Sequence, residues 1–123
     1  MIRTINSQDW PAFCQRITEQ CATALVRLEV TETSGIKNEL AANARLQSMA
    51  FDGTDPCNDV ILLRVRDTRE ISHEILDPIQ IRLHSAGTPG DFNQIEIAAE
   101  NGITLIHLSP SLREEMLAGL SIN

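Results

Sequence analysis

The chain has few aromatic side chains: one Trp, three Phe and no Tyr among 123 residues. Proteins that bind single-stranded nucleic acid stack the bases on such rings, and this chain has few rings for that mode of binding. Ten basic against seventeen acidic side chains give a net charge of −7, which repels a phosphate backbone. We therefore do not expect nucleic acid as a partner.

Long apolar runs are also missing. No stretch approaches the roughly 20 apolar residues of a membrane-spanning helix, and the first residues lack the apolar core and cleavage site of a secretory signal. Three cysteines are an odd number and too few for a secreted disulfide scaffold of this size. These absences predict a cytoplasmic protein with reduced thiols and no membrane partner.

The length fits one domain, 1–123, because two domains of half this size would each bury too little core. The N-terminal part predicts an amphipathic helix from about residue 8 to Gln20. Trp10, Phe13 and Ile17 recur there at intervals of three and four residues. Pro11 is compatible with the first turn of this helix.

Apolar residues then alternate with polar ones, which predicts strands. The predicted strands start at Leu25, Asn43, Asp59, Ile71, Ile95 and Ile103, with a bend at Asp77-Pro78 in the fourth. Asn101-Gly102 is a strong hairpin signal between the last two strands. Residues 36–42 carry no assignable pattern.

Short connections exclude parallel crossovers, so the fold class is α+β. We expect an N-terminal helix packed on a curved antiparallel β-meander of about six strands. Ser109-Pro110-Ser111 resembles a helix start, so a short C-terminal helix is predicted over Leu112–Leu120. The apolar segment Val60 to Val65 is the candidate edge strand, and its exposed pairing groups predict a homodimer.

Arginine dominates the basic residues, with Lys37 as the single lysine. Six cations lie at the polar positions of predicted strands and should share one sheet face: Arg27, Arg45, Arg64, Arg66, Arg82 and His84. The candidate functional site is an anion-binding site of Arg45, Arg64, Arg66, Arg82 and His84, because guanidinium groups suit carboxylates and phosphates. A solvated face of cross-strand ion pairs is the favoured interpretation, since Glu29, Glu74 and Glu96 share these positions.

Other motifs predict neither a catalytic residue nor a metal site. His73, His84 and His107 have no short-spaced partner, and Cys14 and Cys21 lie on the apolar stripe of the helix, where core packing is expected. The acidic loop 52–59 could hold a cation or activate Cys57, but a solvated turn is the favoured interpretation because the calcium-loop pattern is absent. The turn residues at 85–91 predict an exposed loop.

Several segments together resemble a small bacterial domain family classified as of unknown function. They are the Trp10 to Phe13 helix start, Ile71 to Leu83 with its bend at Pro78, and Ile95 to Asn101-Gly102 followed by the strand around Leu105. The resemblance covers almost the whole chain and implies a fold, not an activity.

The sequence therefore favours a small binding or protein-interaction module that uses a polar sheet face or an edge strand for a protein or small anionic ligand. The alternative is a small-molecule enzyme or ligand carrier with a pocket between helix and curved sheet. No cofactor is predicted, and an enzymatic role is the less favoured hypothesis because hydrolase and phosphate-loop motifs are absent.

Overall fold

The computed structural model describes residues 2–55, 58–85 and 87–123. One α-helix, α1 (Trp10–Gln20), follows a 3-10 turn over Ser7–Asp9, and a second 3-10 turn spans Glu114–Leu117. The strands are β1 (Ile2–Ile5), β2 (Leu25–Glu32), β3 (Lys37–Asp55), β4 (Asn58–Arg66), β5 (Glu70–Leu76), β6 (Pro78–His84), β7 (Asp91–Ala99) and β8 (Gly102–Arg113). The class is α+β, as predicted.

The eight strands form one sheet in the order β1-β6-β7-β8-β2-β3-β4-β5. Every described pairing is antiparallel. The sheet consists of two runs of sequential hairpins, β2 to β5 and β6 to β8, which are joined where β8 pairs with β2. The predicted six-strand meander is therefore corrected to eight strands, and the chain leaves the meander order between β5 and β6.

The sheet curls strongly, so that its two ends approach one another. β5 continues into β6 through the single residue Asp77, although the two strands lie near opposite ends of the sheet. Asp77 has a φ of 51°, which Asp tolerates better than most residues, and its N–H donates to the carbonyl oxygen of Asp59 at 2.8 Å. Inside the curl, His73 Nε2 on β5 lies 3.1 Å from Thr104 Oγ1 on β8.

The concave face of the curl holds the core, and α1 covers part of it. Trp10, Phe13, Cys14 and Ile17 are the buried side of the helix, as the three-and-four spacing predicts. They belong to one cluster of buried side chains that includes Val26, Leu28, Ile81 and Leu83. Most helix contacts are with β3. The second half of β3 extends past the start of β2, with which it is antiparallel.

The hairpin predicted at Asn101-Gly102 is confirmed. Gly102 has a φ of 153° and lies against β2, where an added Cβ would come within 2.4 Å of the carbonyl oxygen of Thr31. Only glycine permits this approach of the two backbones.

Two predicted features differ in the structure. The C-terminal helix predicted over Leu112–Leu120 is shorter than expected, a 3-10 turn over Glu114–Leu117, because β8 continues to Arg113 through pairs with Asp91 and Phe92. The segment Val60 to Val65 is not an edge, since β4 pairs with both β3 and β5.

The two outermost strands of the sheet differ in whether their outer edge is covered. The outer side of β1 is covered by the C-terminal residues, where Thr4 and Asn123 exchange backbone hydrogen bonds of 2.8 and 2.9 Å. Within the described ranges, β5 pairs only with β4. The open edge of the sheet is therefore β5.

Among the residues that the structure describes, no helix has both the length and the apolar character needed to cross a membrane.

Candidate functional site

Three of the predicted site arginines meet on the convex face of the sheet. Arg45 on β3 lies directly opposite Arg66 on β4, and Arg64 precedes Arg66 by two residues on the same face. Arg64 is flanked by Ser48 on β3 and Ser72 on β5. We call Arg45, Arg64 and Arg66 the arginine patch.

The patch is not neutralised by carboxylates in the described part of the chain. Arg64 and Arg66 are exposed and make no ion pair there, although Glu70 lies directly opposite Arg66 on β5. Arg45 donates from Nη1 to the carbonyl oxygen of Thr23 at 3.1 Å. Like charges directly opposite one another destabilise a sheet, so the Arg45–Arg66 pair costs stability unless an anion lies between them.

Arg82 and His84 do not join the patch. Both lie on β6, with four strands between them and β4. Arg82 donates from Nε to Glu96 Oε2 at 2.8 Å, and His84 Nε2 lies 3.2 Å from Glu96 Oε1. Glu96 is only 8% exposed, so Arg82 is already paired with a largely buried carboxylate.

Arg27 is also paired with a carboxylate, that of Glu29 on its own strand β2. Its Nε lies 3.2 Å from Glu29 Oε1, and His107 Nε2 lies 3.5 Å from the same oxygen. The predicted shared face of six cations therefore divides into two regions. Ion pairs, within β2 and between neighbouring strands, occupy the β6–β7–β8–β2 side, and the arginine patch occupies the β3–β4 side.

A cleft adjoins the arginine patch at the loop between α1 and β2. Its volume is about 320 Å³, and its lining includes Cys21, Ala22, Thr23, Ala24, Arg45, Pro110, Ser111 and Met116. Arg45 thus belongs to both the patch and the cleft. Nothing in the sequence pattern indicated the cleft, because it forms where this loop meets the end of β8 and the C-terminal 3-10 turn.

Thr23 has an unusual backbone conformation at this cleft. Its φ is 67°, a left-handed value that is unfavourable for a β-branched residue. Hydrogen bonds to β3 hold it in place: Thr23 N–H donates to Leu46 C=O at 3.0 Å, and Leu46 N–H donates to Ala24 C=O at 2.9 Å. The carbonyl of Thr23 is thereby fixed where Arg45 reaches it.

The cysteines of the helix region are structural. Cys14 and Cys21 are free and buried, which confirms the expected core packing. Burial raises the pKa of Cys14 to about 12 and also raises the pKa of Cys21, so neither thiol is activated. The prediction for Cys57 lies outside the described residues.

Two other predicted elements have simple local roles. Asp52 accepts hydrogen bonds from Thr54 N–H at 3.0 Å and Thr54 Oγ1 at 2.7 Å, which lower the pKa of Asp52. His73 faces the interior, where burial lowers its pKa. Among the described side chains, no three His, Cys, Asp or Glu residues form a group that could hold a metal ion.

The fold and the surface define an α+β protein with a curled antiparallel sheet and a cationic patch on its convex side. Residues 1–115 match the model of a family described as "Family of unknown function (DUF5335)", and the chain belongs to this family. Comparisons with curated proteins and with solved structures find no match. The resemblance to a family of unknown function is thus confirmed, and it assigns no activity.

Proposed function

We propose that this chain is a small binding module and that its arginine patch binds the carboxylate or phosphate of an anionic ligand. The observation that carries the proposal is the direct opposition of Arg45 and Arg66, with Arg64 beside them and no carboxylate paired to the three in the described ranges. A bound anion would convert their mutual repulsion into attraction. Planar guanidinium groups also bind carboxylate and phosphate oxygens in pairs.

The net charge supports a small ligand over a long polyanion. At −7 the whole molecule repels nucleic acid, whereas a small anion feels mainly the nearest guanidinium groups because salt screens more distant charges over about 10 Å. Ser48 and Ser72 beside Arg64 would supply hydroxyl donors to the same anion. We therefore favour a small anionic ligand over nucleic acid for this surface.

The interior offers no competing site in the described residues. The buried side chains form one apolar cluster, and no buried side-chain polar atom lacks a hydrogen-bond partner there. A groove of about 380 Å³ lies between α1 and β3, lined by Thr18, Met49 and Phe51 among others, but it is open at the surface. The filled interior therefore supports a surface-binding role over a deep, enclosed pocket.

The test is thermal unfolding at low salt with inorganic phosphate and with citrate, using the wild type and the double variant Arg64→Gln with Arg66→Gln. An anion at a hundred times its dissociation constant stabilises the wild type by about 2.7 kcal/mol, and the double variant should lose this effect. Lys37→Gln, which removes one positive charge elsewhere, is the control for a general effect of charge, because Lys37 is exposed at the start of β3 away from the patch. If neither anion stabilises the wild type, or if the double variant responds equally, the proposal is wrong.

We also propose a cytoplasmic location, a single domain and self-association through the open edge of β5. The free thiols of Cys14 and Cys21 support the first, and the single buried cluster supports the second. The unpaired edge of β5 replaces β4 as the basis for a homodimer.

A further inference from the structure

We propose that the ligand of the arginine patch is an amphiphile, with its anionic group on Arg45 and Arg66 and a compact apolar body in the adjoining cleft. This inference rests on the proposed function and adds the chemical class of the ligand. It is carried by the position of Arg45, which lines the cleft and also lies directly opposite Arg66.

Arg45 is held at the junction of the two surfaces. Its Nη1 donates to the carbonyl oxygen of Thr23 at 3.1 Å, and the backbone of Thr23 is itself fixed to Leu46. This bond uses one of the five N–H donors of the guanidinium group, and the others stay available to an anion. A ligand head group at Arg45 would therefore lie at the rim of the cleft.

The cleft has the composition expected for an apolar group. Carbon-rich side chains contribute much of its lining, namely Ala22, Ala24, Pro110 and Met116. Gln20, Thr23, Arg45 and Ser111 supply its polar groups. Ligand sites typically combine a mainly apolar lining with a small number of polar groups that orient the ligand.

The volume limits the size of the apolar body. At about 30 Å³ for each water-sized group, 320 Å³ holds about ten such groups. A saturated chain of about eight to ten carbons, or a single substituted ring, would fill the cleft. A folded macromolecule or a long lipid chain would not fit.

Straight-chain carboxylates from acetate to dodecanoate, each kept below its micelle concentration, provide the probes. Calorimetry and amide chemical-shift titration would give their dissociation constants at constant low ionic strength. We expect affinity to rise by up to about fourfold per added methylene, the equivalent of about 0.8 kcal/mol, and to level off at about eight to ten carbons. The amides of Thr23 and Ser111 should shift more as the chain lengthens.

The variant Ala22→Phe fills the cleft from an exposed loop position, so the fold should tolerate it. It should abolish the dependence on chain length while leaving the binding of inorganic phosphate unchanged. Ala118→Phe is the matched control, because Ala118 is equally exposed and does not line the cleft.

The outcomes separate this inference from the proposed function. If phosphate binds at the patch but chain length has no effect, or if the effect persists in Ala22→Phe, the amphiphile is wrong and the anion site stands. If neither phosphate nor any carboxylate binds, both proposals fail.

Discussion

Thr18 on α1 is hydrogen-bonded to the backbone of Met49 on β3. Its Oγ1 accepts the N–H of Met49 at 2.9 Å and also lies 2.9 Å from the carbonyl oxygen of Met49. The helix thereby satisfies backbone groups of β3 at a position that β2 does not reach. The hydroxyl of Thr18 thus makes the hydrogen bonds to Met49 that a neighbouring strand would otherwise make.

Replacing Thr18 by Val should destabilise the protein although the side-chain shape is kept. The change leaves the N–H of Met49 without its acceptor and removes the hydroxyl proton that the carbonyl oxygens of Cys14 and Met49 share, which costs about 1–3 kcal/mol. Thr18→Ser, which keeps the hydroxyl, should lose much less. Urea unfolding of both variants provides the measurement, and equal losses would show that the hydroxyl is not the stabilising group.

Phe13 is fully buried between α1 and the sheet. Phe13→Ala should lower the free energy of unfolding by about 3–5 kcal/mol, because it removes a buried ring and leaves a cavity. Denaturant melts measure this directly, with the exposed Ala12→Gly on the same helix as the reference for a change of propensity. A loss below about 1 kcal/mol would contradict the packing of the helix.

His73 should make stability depend on pH. Burial lowers its pKa below the ordinary 6.5, so below 6.5 the unfolded chain binds a proton that the folded chain resists. This contribution to stability is fully present above pH 6.5 and is lost as the pH falls from there through the lower pKa of the folded state.

Replacing His73 by Gln tests this dependence. The difference in free energy of unfolding between wild type and His73→Gln should change between pH 7.5 and about 5, with the wild type losing stability relative to the variant. His107→Gln, on the convex face, controls for the loss of an imidazole. Parallel curves for wild type and His73→Gln over this range would refute the prediction.

The arginine patch should carry a cost in the free protein. Arg66→Gln removes the like-charge contact with Arg45 and should raise the free energy of unfolding by a few tenths of a kcal/mol at low salt, an effect that screening by salt reduces. Thermal melts at two salt concentrations measure it. A loss of stability at low salt would mean that Arg66 stabilises the free fold.

The open edge of β5 predicts a homodimer. Leu76, at the end of this strand, is 48% exposed, and an extra strand from a second copy would pair along β5. Sedimentation equilibrium should give a dimer mass at high protein concentration, and Ser72→Lys, which adds a charge on the edge strand, should weaken it. A monomer at every concentration up to the millimolar range would exclude this association.

The sequence predicted those helices and strands in which buried residues recur at the regular interval of the element. The stripe of α1 and the alternation in β2 are examples, since one face of each is buried. The first four residues of β3, including Glu39 and Leu40, are exposed on both faces and so carry no alternation. The end of β8 looked like a helix start, but pairing of Leu112 with Phe92 outweighs that local preference.

The site was predictable only in part. Alternation placed Arg45, Arg64, Arg66 and Arg82 on one face of the sheet, but it contains no information on strand order. The separation of Arg82 from the patch follows from long-range pairing of β6 with β7 and β1, and so does the cleft beside Arg45.

We expect the junction between β2 and β8 to form after the two runs of hairpins. Each run of hairpins forms from contacts close in sequence, whereas Arg27 and His107 come together from positions 80 apart. Closing so long a loop loses chain entropy before any contact across the junction is gained. We therefore expect substitutions at this junction to slow folding more than substitutions of similar cost within either hairpin run.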